Sequence, residues 1–108
     1  MDFLKVAEAS DIPPGKMKAF KTGKENVLIA NIEGTFHAIA NKCPHAHFPL
    51  NMGRLDGCVV TCPLHHARFN AETGANVEEA KILFLKLKPT DARCYPVKVE
   101  NGEVMVGV

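Results

Sequence analysis

The sequence predicts an all-β chain, a small antiparallel sandwich or barrel, and three observations carry that prediction. Short apolar or β-branched runs of strand length recur along it, turn dipeptides separate them, and the C-terminal end alternates with a period of two. Phe3–Val6, Met17–Lys21, Asn26–Asn31 and Thr35–Ala40 are the first four such runs. Pro13-Pro14-Gly15 divides the first two, and Glu33-Gly34 joins the third to the fourth. Asp56-Gly57 precedes Cys58–Thr61, and Asn101-Gly102 lies between Tyr95–Glu100 and Glu103–Val106. Asx-Gly dipeptides between apolar runs suit tight hairpins, because Gly and Asn accept positive φ at low cost. Val97, Val99, Val104 and Val106 alternate with Lys98, Glu100 and Met105, the pattern of half-buried antiparallel strands. Glu78–Lys88 is ambiguous. Glu78, Glu79 and Lys81 suit a helix start, whereas Leu83, Leu85 and Leu87 alternate as a strand would, and Pro89 ends either. The strand reading is preferred.

Length and composition limit the rest. The 108 residues, 46% hydrophobic and 23% charged, fit one globular domain spanning 1–108. There is no internal repeat or linker. With 13 basic and 12 acidic residues the formal net charge is +1, which argues against nucleic acid as the main partner. Lys5 and Glu8 interrupt the start where a signal peptide needs an apolar stretch, and runs such as Val27–Ala30 and Ile82–Leu85 are too short to cross a bilayer. A soluble cytoplasmic protein, monomeric and without a membrane partner, is therefore expected. In a reducing compartment its four cysteines read as metal ligands or buried thiols before disulfides.

Two motifs carry the chemistry. Cys43-Pro44-His45 and Cys62-Pro63-Leu64-His65 both follow predicted strands, and sixteen residues separate them. Pro44 and Pro63 hold the preceding Cys in extended geometry, a way to aim both thiolates at one point. Two thiolates and two imidazoles suit either a mononuclear zinc site or a [2Fe–2S] centre in which two His replace two Cys on one iron. Zinc sites usually pair like ligands at short spacing, C-x₂-C with H-x₃-H. One Cys and one His from each loop suits the binuclear centre better.

At these residues the sequence resembles the Rieske family, whose pattern is Cys-x-His, a gap of this length, then Cys-x-x-His. The resemblance continues through Leu50 and Gly53 after the first motif, and Arg68-Phe69-Asn70 with Thr73-Gly74 after the second. Phe3–Val6, Asp11–Gly15 and the closing Tyr95–Val99 are similar to its ferredoxin branch. The resemblance implies one [2Fe–2S] cluster at the tip of the fold, with Cys43 and Cys62 on the inner iron and His45 and His65 on the outer. Two ferric ions, two sulfides and two thiolates sum to no charge, so reduction leaves only −1 and is easier than at an all-Cys cluster. Respiratory members carry a further Cys in each loop and hydroxyl donors after the second; Phe48, Leu64, Ala67 and Phe69 stand at those places here. Fewer donors stabilise the reduced state less, which implies the low-potential class.

The function implied is a one-electron carrier, not an enzyme, since no catalytic iron domain is present. It would take electrons from a flavin-dependent reductase and pass them to a terminal oxygenase or another oxidoreductase. His45 and His65 would be the exit point, with Phe48, Pro49 and Leu64 as an apolar rim. Deprotonation of the ligand imidazoles in the oxidised state would make the potential pH-dependent at alkaline pH. Two alternatives remain: the small subunit of a nitrite-reductase-type complex, and a colourless structural zinc module.

His47 and His66 stand where the family usually has Gly; they are read as exposed loop residues, although either offers an alternative ligand. Cys58 is expected to be a buried inert thiol, with a Cys58–Cys94 disulfide disfavoured. His37, alone in its strand, reads as structural, and Lys81, Lys86 and Lys88 as a solvated strand face.

Overall fold

A computed structural model describes residues 3–22, 25–42, 49–63, 68–78, 80–82, 85–87 and 92–107. Every described pairing between strands is antiparallel, and the all-β expectation holds. The strands are β1 (Phe3–Glu8), β2 (Met17–Thr22), β3 (Glu25–Ile32), β4 (Thr35–Ala40), β5 (Arg54–Asp56), β6 (Val59–Thr61) and β7 (Arg68–Asn70). They continue as β8 (Asn76–Glu78), β9 (Ala80–Ile82), β10 (Leu85–Leu87), β11 (Cys94–Tyr95), β12 (Val97–Glu100) and β13 (Glu103–Gly107). Single 3₁₀ turns cover Ala9–Asp11 and Leu50–Met52.

A central sheet, in the order β11-β4-β3-β2, separates two cores. Its strand β3 is apolar without alternation from Val27 to Ala30, and all four residues are buried. That is the pattern of a strand covered on both faces. Leu28 and Ala30 pack with Ile39, Leu50, Val60 and Phe69 toward the sheet β5-β6-β7-β8. Val27 and Ile29 point the other way, to Ala38, Val104 and Val106 under the sheet β1-β13-β12. Each large apolar side chain so buried contributes about 1.5–3 kcal/mol.

Two of the dipeptides between strands close as two-residue turns. Glu33 and Gly34 have φ of 52° and 91° between the paired Ile32 and Thr35. Asn101 and Gly102 have φ of 53° and 76° between Glu100 and Glu103. Both central residues of such a turn must be left-handed to match the twist of the flanking strands. Buried Asn31 braces the first, donating to the Ile12 carbonyl at 2.7 Å and accepting from the Gly34 N–H at 2.8 Å.

Four readings need correction. Asp56 belongs to β5, and the turn consists of Gly57 (φ 60°) and Cys58, one residue later than expected. Cys58 is accordingly half-buried in that turn instead of buried in a strand. Tyr95–Glu100 is not one strand: Pro96 divides it between the central sheet and the sheet of β13. A proline lacks the N–H that a continuous ladder requires. Val99, expected to be half-buried, lies on the outer strand β12 and is 45% exposed. Two short strands, β9 and β10, pair within Glu78–Lys88, as the strand reading required, while Glu79, Leu83, Phe84 and Lys88 lie outside the described residues. His37 sits in β4 opposite Ala30, a strand position in keeping with a structural role.

Candidate metal centre

Both predicted ligand loops hang from the same end of the molecule. The first leaves β4 through Asn41 and returns at Pro49. The second is the six-residue connection between Thr61 and Arg68, which pair directly at the ends of β6 and β7. Thr61 also pairs with Arg54 of β5, so the return of the first loop runs beside the start of the second.

Side chains and backbone fix the bases of these loops. The Asn41 amide nitrogen donates to the Asn51 side-chain oxygen at 2.9 Å, and the Asn51 backbone N–H donates to the Asn41 side-chain oxygen at 2.8 Å. Asn41 also donates its own N–H to the Asn26 carbonyl at 2.9 Å. The two ends of the first loop are thereby tied to each other and to β3. Leu50, fully buried between the sheets, anchors its return. Next along the chain, a Cβ on Gly53 would overlap the Thr61 carbonyl oxygen, so only glycine lets the two loop bases touch.

Of the four predicted ligands, Cys62 is described. It is fully buried against the core that holds Leu28, Leu50 and Phe69, although the next residue, Pro63, is exposed. A thiol directed inward at the mouth of a loop fits a ligand to the inner of two irons. Cys43, His45 and His65, with His47, His66, Phe48, Leu64 and Ala67, lie outside the described residues. Among the described residues no three His, Cys, Asp or Glu side chains gather as a metal site. Phe69 is fully buried and offers no hydroxyl donor where respiratory members carry one.

The turn after β7 is built as the motif suggests. Asn70 accepts from the Gly74 N–H through its carbonyl at 2.6 Å and from the Glu72 N–H through its side chain at 2.8 Å. Thr73 accepts from Ala75 at 3.1 Å, and Gly74 lies against the Ala92 carbonyl with no room for a Cβ. Cys94 is exposed and Cys58 half-buried, neither bridged by a disulfide.

Sequence reasoning singled out the two Cys-His motifs but missed the Asn41–Asn51 clamp. The only available signal was an Asn on either side of the first motif. It also missed a second strap at this end: the Tyr95 hydroxyl donates to Glu25 at 2.8 Å, while the Arg93 guanidinium lies over the Tyr95 ring at 5.1 Å. Burial, and then the bond to Glu25, raise the Tyr95 pKa.

Comparison with known proteins agrees with this geometry. The Rieske [2Fe-2S] domain family matches residues 2–83. The ferredoxin component of biphenyl 2,3-dioxygenase from Rhodococcus jostii (strain RHA1) is 36% identical over 106 residues, covering 98% of this chain and 92% of that protein. The ferredoxin of carbazole 1,9a-dioxygenase from Nocardioides aromaticivorans IC177 superposes with a TM-score of 0.83 at 30% identity, covering 98% of this chain and 97% of the other. A ferredoxin in a complex of reduced oxygenase and oxidised ferredoxin of carbazole 1,9a-dioxygenase matches equally well, at TM-score 0.83 and 30% identity over 96% of this chain and 91% of the other. No helix among the described residues is long and apolar enough to cross a membrane. With both loop bases joined at one end and the family matched across most of its length, the chain belongs to the Rieske [2Fe–2S] proteins.

Proposed function

We propose that this protein is the ferredoxin of a multicomponent oxygenase system, a low-potential carrier of single electrons. The observation that carries the reading is the fully buried Cys62 at the start of a hairpin loop whose base is locked to that of the first ligand loop. Cys43 and Cys62 would hold the inner iron and His45 and His65 the outer iron of one [2Fe–2S] cluster. When bound, that cluster accepts one electron and gives it back.

The chain's own residues have three tasks. Cys62, packed among Leu28, Leu50 and Phe69, keeps water from the inner side. The Asn41–Asn51 and Gly53–Thr61 contacts hold the loops against rearrangement, so little reorganisation accompanies a change of charge. Phe69, without a hydroxyl, leaves the cluster fewer donors and the potential low. Oxygenase ferredoxins are relatives over nearly the whole length of this chain, which favours a terminal oxygenase as acceptor; a flavin-dependent reductase would be the donor.

The test is an electron paramagnetic resonance spectrum of the dithionite-reduced protein with its iron content. Two irons and the low average g of a His-ligated [2Fe–2S] centre are expected. A colourless protein holding one zinc would overturn the reading.

A further inference from the structure

Charge is sorted between the two ends of this nearly neutral molecule. Between Glu33 and Glu72 the chain contains a single carboxylate, Asp56, yet it contains Lys42, Arg54 and Arg68. Both ligand motifs fall in that interval, and residues 43–48 and 64–67 include four His and no acid.

The fold gathers these cations at one place. Lys42 follows Asn41 at the start of the first loop, while Arg54 and Arg68 both pair with Thr61, next to Cys62. Arg93 joins them, because its carbonyl accepts from the Ala40 N–H, and Lys21 lies opposite Asn26. Three carboxylates share this end among the described residues: Glu25, which faces Arg93 at 4.0 Å, Asp56, which pairs with Arg54 at 3.1 Å, and Glu78, which lies opposite Arg68 in register. The cations still outnumber them. Arg54 is 81% exposed and Arg93 69%. Beside Arg54, exposed Met52 and Pro63 line a shallow depression of about 420 Å³ with Gly53 and Thr61.

The opposite end is acidic. Glu33 and Glu72 flank a depression of about 330 Å³ with Pro14, Gly57 and Cys58. Glu8, Asp11, Glu100 and Glu103 cluster around the bond from the Ala9 N–H to the Gly102 carbonyl. Lys5, which bonds Glu8 and Glu103, and Lys98, which pairs with Glu100 at 3.3 Å, compensate only part of that charge.

With a net charge of only +1, the attraction of a partner depends on which end it meets. A field of one sign around an electron-exchange site raises encounter rates with surfaces of the opposite sign and orients them before contact. We propose that the cluster end is a basic docking face, built from Lys42, Arg54, Arg68 and Arg93, for a redox protein that presents an acidic surface. The proposal rests on the electron-carrier reading above and adds the chemistry of the partner.

The test uses the full chain with its cluster, reduced and freed of reductant, and cytochrome c as probe in two forms. Native cytochrome c is basic, and the fully succinylated form presents the same haem in an acidic surface. In each reaction one electron leaves the ferredoxin and one ferric haem becomes ferrous. Stopped-flow rates with the succinylated form should fall about tenfold as ionic strength rises from roughly 10 to 300 mM, and those with the native form should rise. The Lys42→Glu/Arg54→Glu pair should lower the succinylated rate about tenfold at low salt, whereas Glu33→Lys/Glu72→Lys should change it less than about twofold. A succinylated rate that is flat or rises with salt overturns the docking face, and the wild-type chain alone decides this if a variant fails to fold. Equal effects of the two pairs overturn it as well. A preparation lacking the cluster would instead refute the carrier reading, so the two failures are distinct.

Discussion

Strands β5 and β6 end differently at their two extremities, and the contrast shows how this small fold divides stability from function. At one extremity Gly57 and Cys58 turn the chain in two residues, beside the equally tight Glu33-Gly34 turn. Nothing lies within 4 Å of where a Cβ would stand on Gly57, so this end is open and local. At the other extremity the chain leaves through connections of six residues or more, whose bases are fixed by partners far away in sequence. Asn41 reaches Asn51, Gly53 meets Thr61, and Cys62 packs into the core with Leu50 and Phe69. A tight turn fixes its own geometry, whereas a long loop must borrow rigidity from its base. Perturbations at the turn end should therefore reach stability alone, and those at the loop end should reach the metal centre.

The cysteines offer the widest separation. Cys62→Ser replaces the buried thiol proposed to hold the inner iron by a hydroxyl and should abolish cluster loading, seen as loss of iron and of visible colour. Cys58→Ser, in the half-buried turn, should retain both irons and the same spectrum. Iron assay and absorbance on the two variants decide the matter; a fully loaded Cys62→Ser protein would remove Cys62 from the ligand set.

The glycines give the next largest effect. Gly53→Ala forces a methyl group into the Thr61 carbonyl, and backbone must move on both loop bases. Overpacking of this kind costs about 1–3 kcal/mol, and here the shift should also lower iron occupancy. Gly57→Ala meets no neighbour but must hold φ at 60°, a cost of about 1 kcal/mol with occupancy unchanged. Urea midpoints and iron content measured together separate the two. Equal occupancy in both variants would show that the loop base does not control the centre.

The same division explains what the sequence made legible. Strands β2, β3 and β4 and the Glu33-Gly34 and Asn101-Gly102 turns were readable because their signals are local: apolar period, turn dipeptide, chain direction. The two Cys-His motifs stood out for a related reason, since each pairs a Cys and a His within four residues. Contacts that join residues ten or more apart left no such mark. Neither Asn41 nor Asn51 announces its partner, because the bond depends on where the chain returns after Pro49. The three-residue strands β5, β7 and β8 are too short to show a period. Pro96 was visible, but its consequence, a strand passing from one sheet to another, depends on which edge lies nearby. The charge sorting was hidden in a net charge near zero and emerges only when register places Arg54 and Arg68 on either side of Thr61.

Tyr95 provides the smallest and most specific test of the loop end. Its hydroxyl bonds to Glu25, whose carboxylate also faces Arg93, and this strap joins β11 to the start of β3 next to Asn41. Tyr95→Phe should lower stability at neutral pH by about 1 kcal/mol, the usual worth of one such bond. The raised pKa of Tyr95, due first to burial and then to Glu25, means that the native state favours the protonated phenol. Its contribution is therefore full below the ordinary tyrosine value of 10.0 and is lost as pH climbs through the higher native value. Removing the hydroxyl removes that titration, so the gap between wild type and Tyr95→Phe should be constant through neutral pH and close above about pH 10. Urea unfolding at stepwise increasing pH measures the gap directly. A gap that widened with pH would mean that the phenolate, not the phenol, is the form the fold prefers, and that Arg93 outweighs burial and Glu25 together.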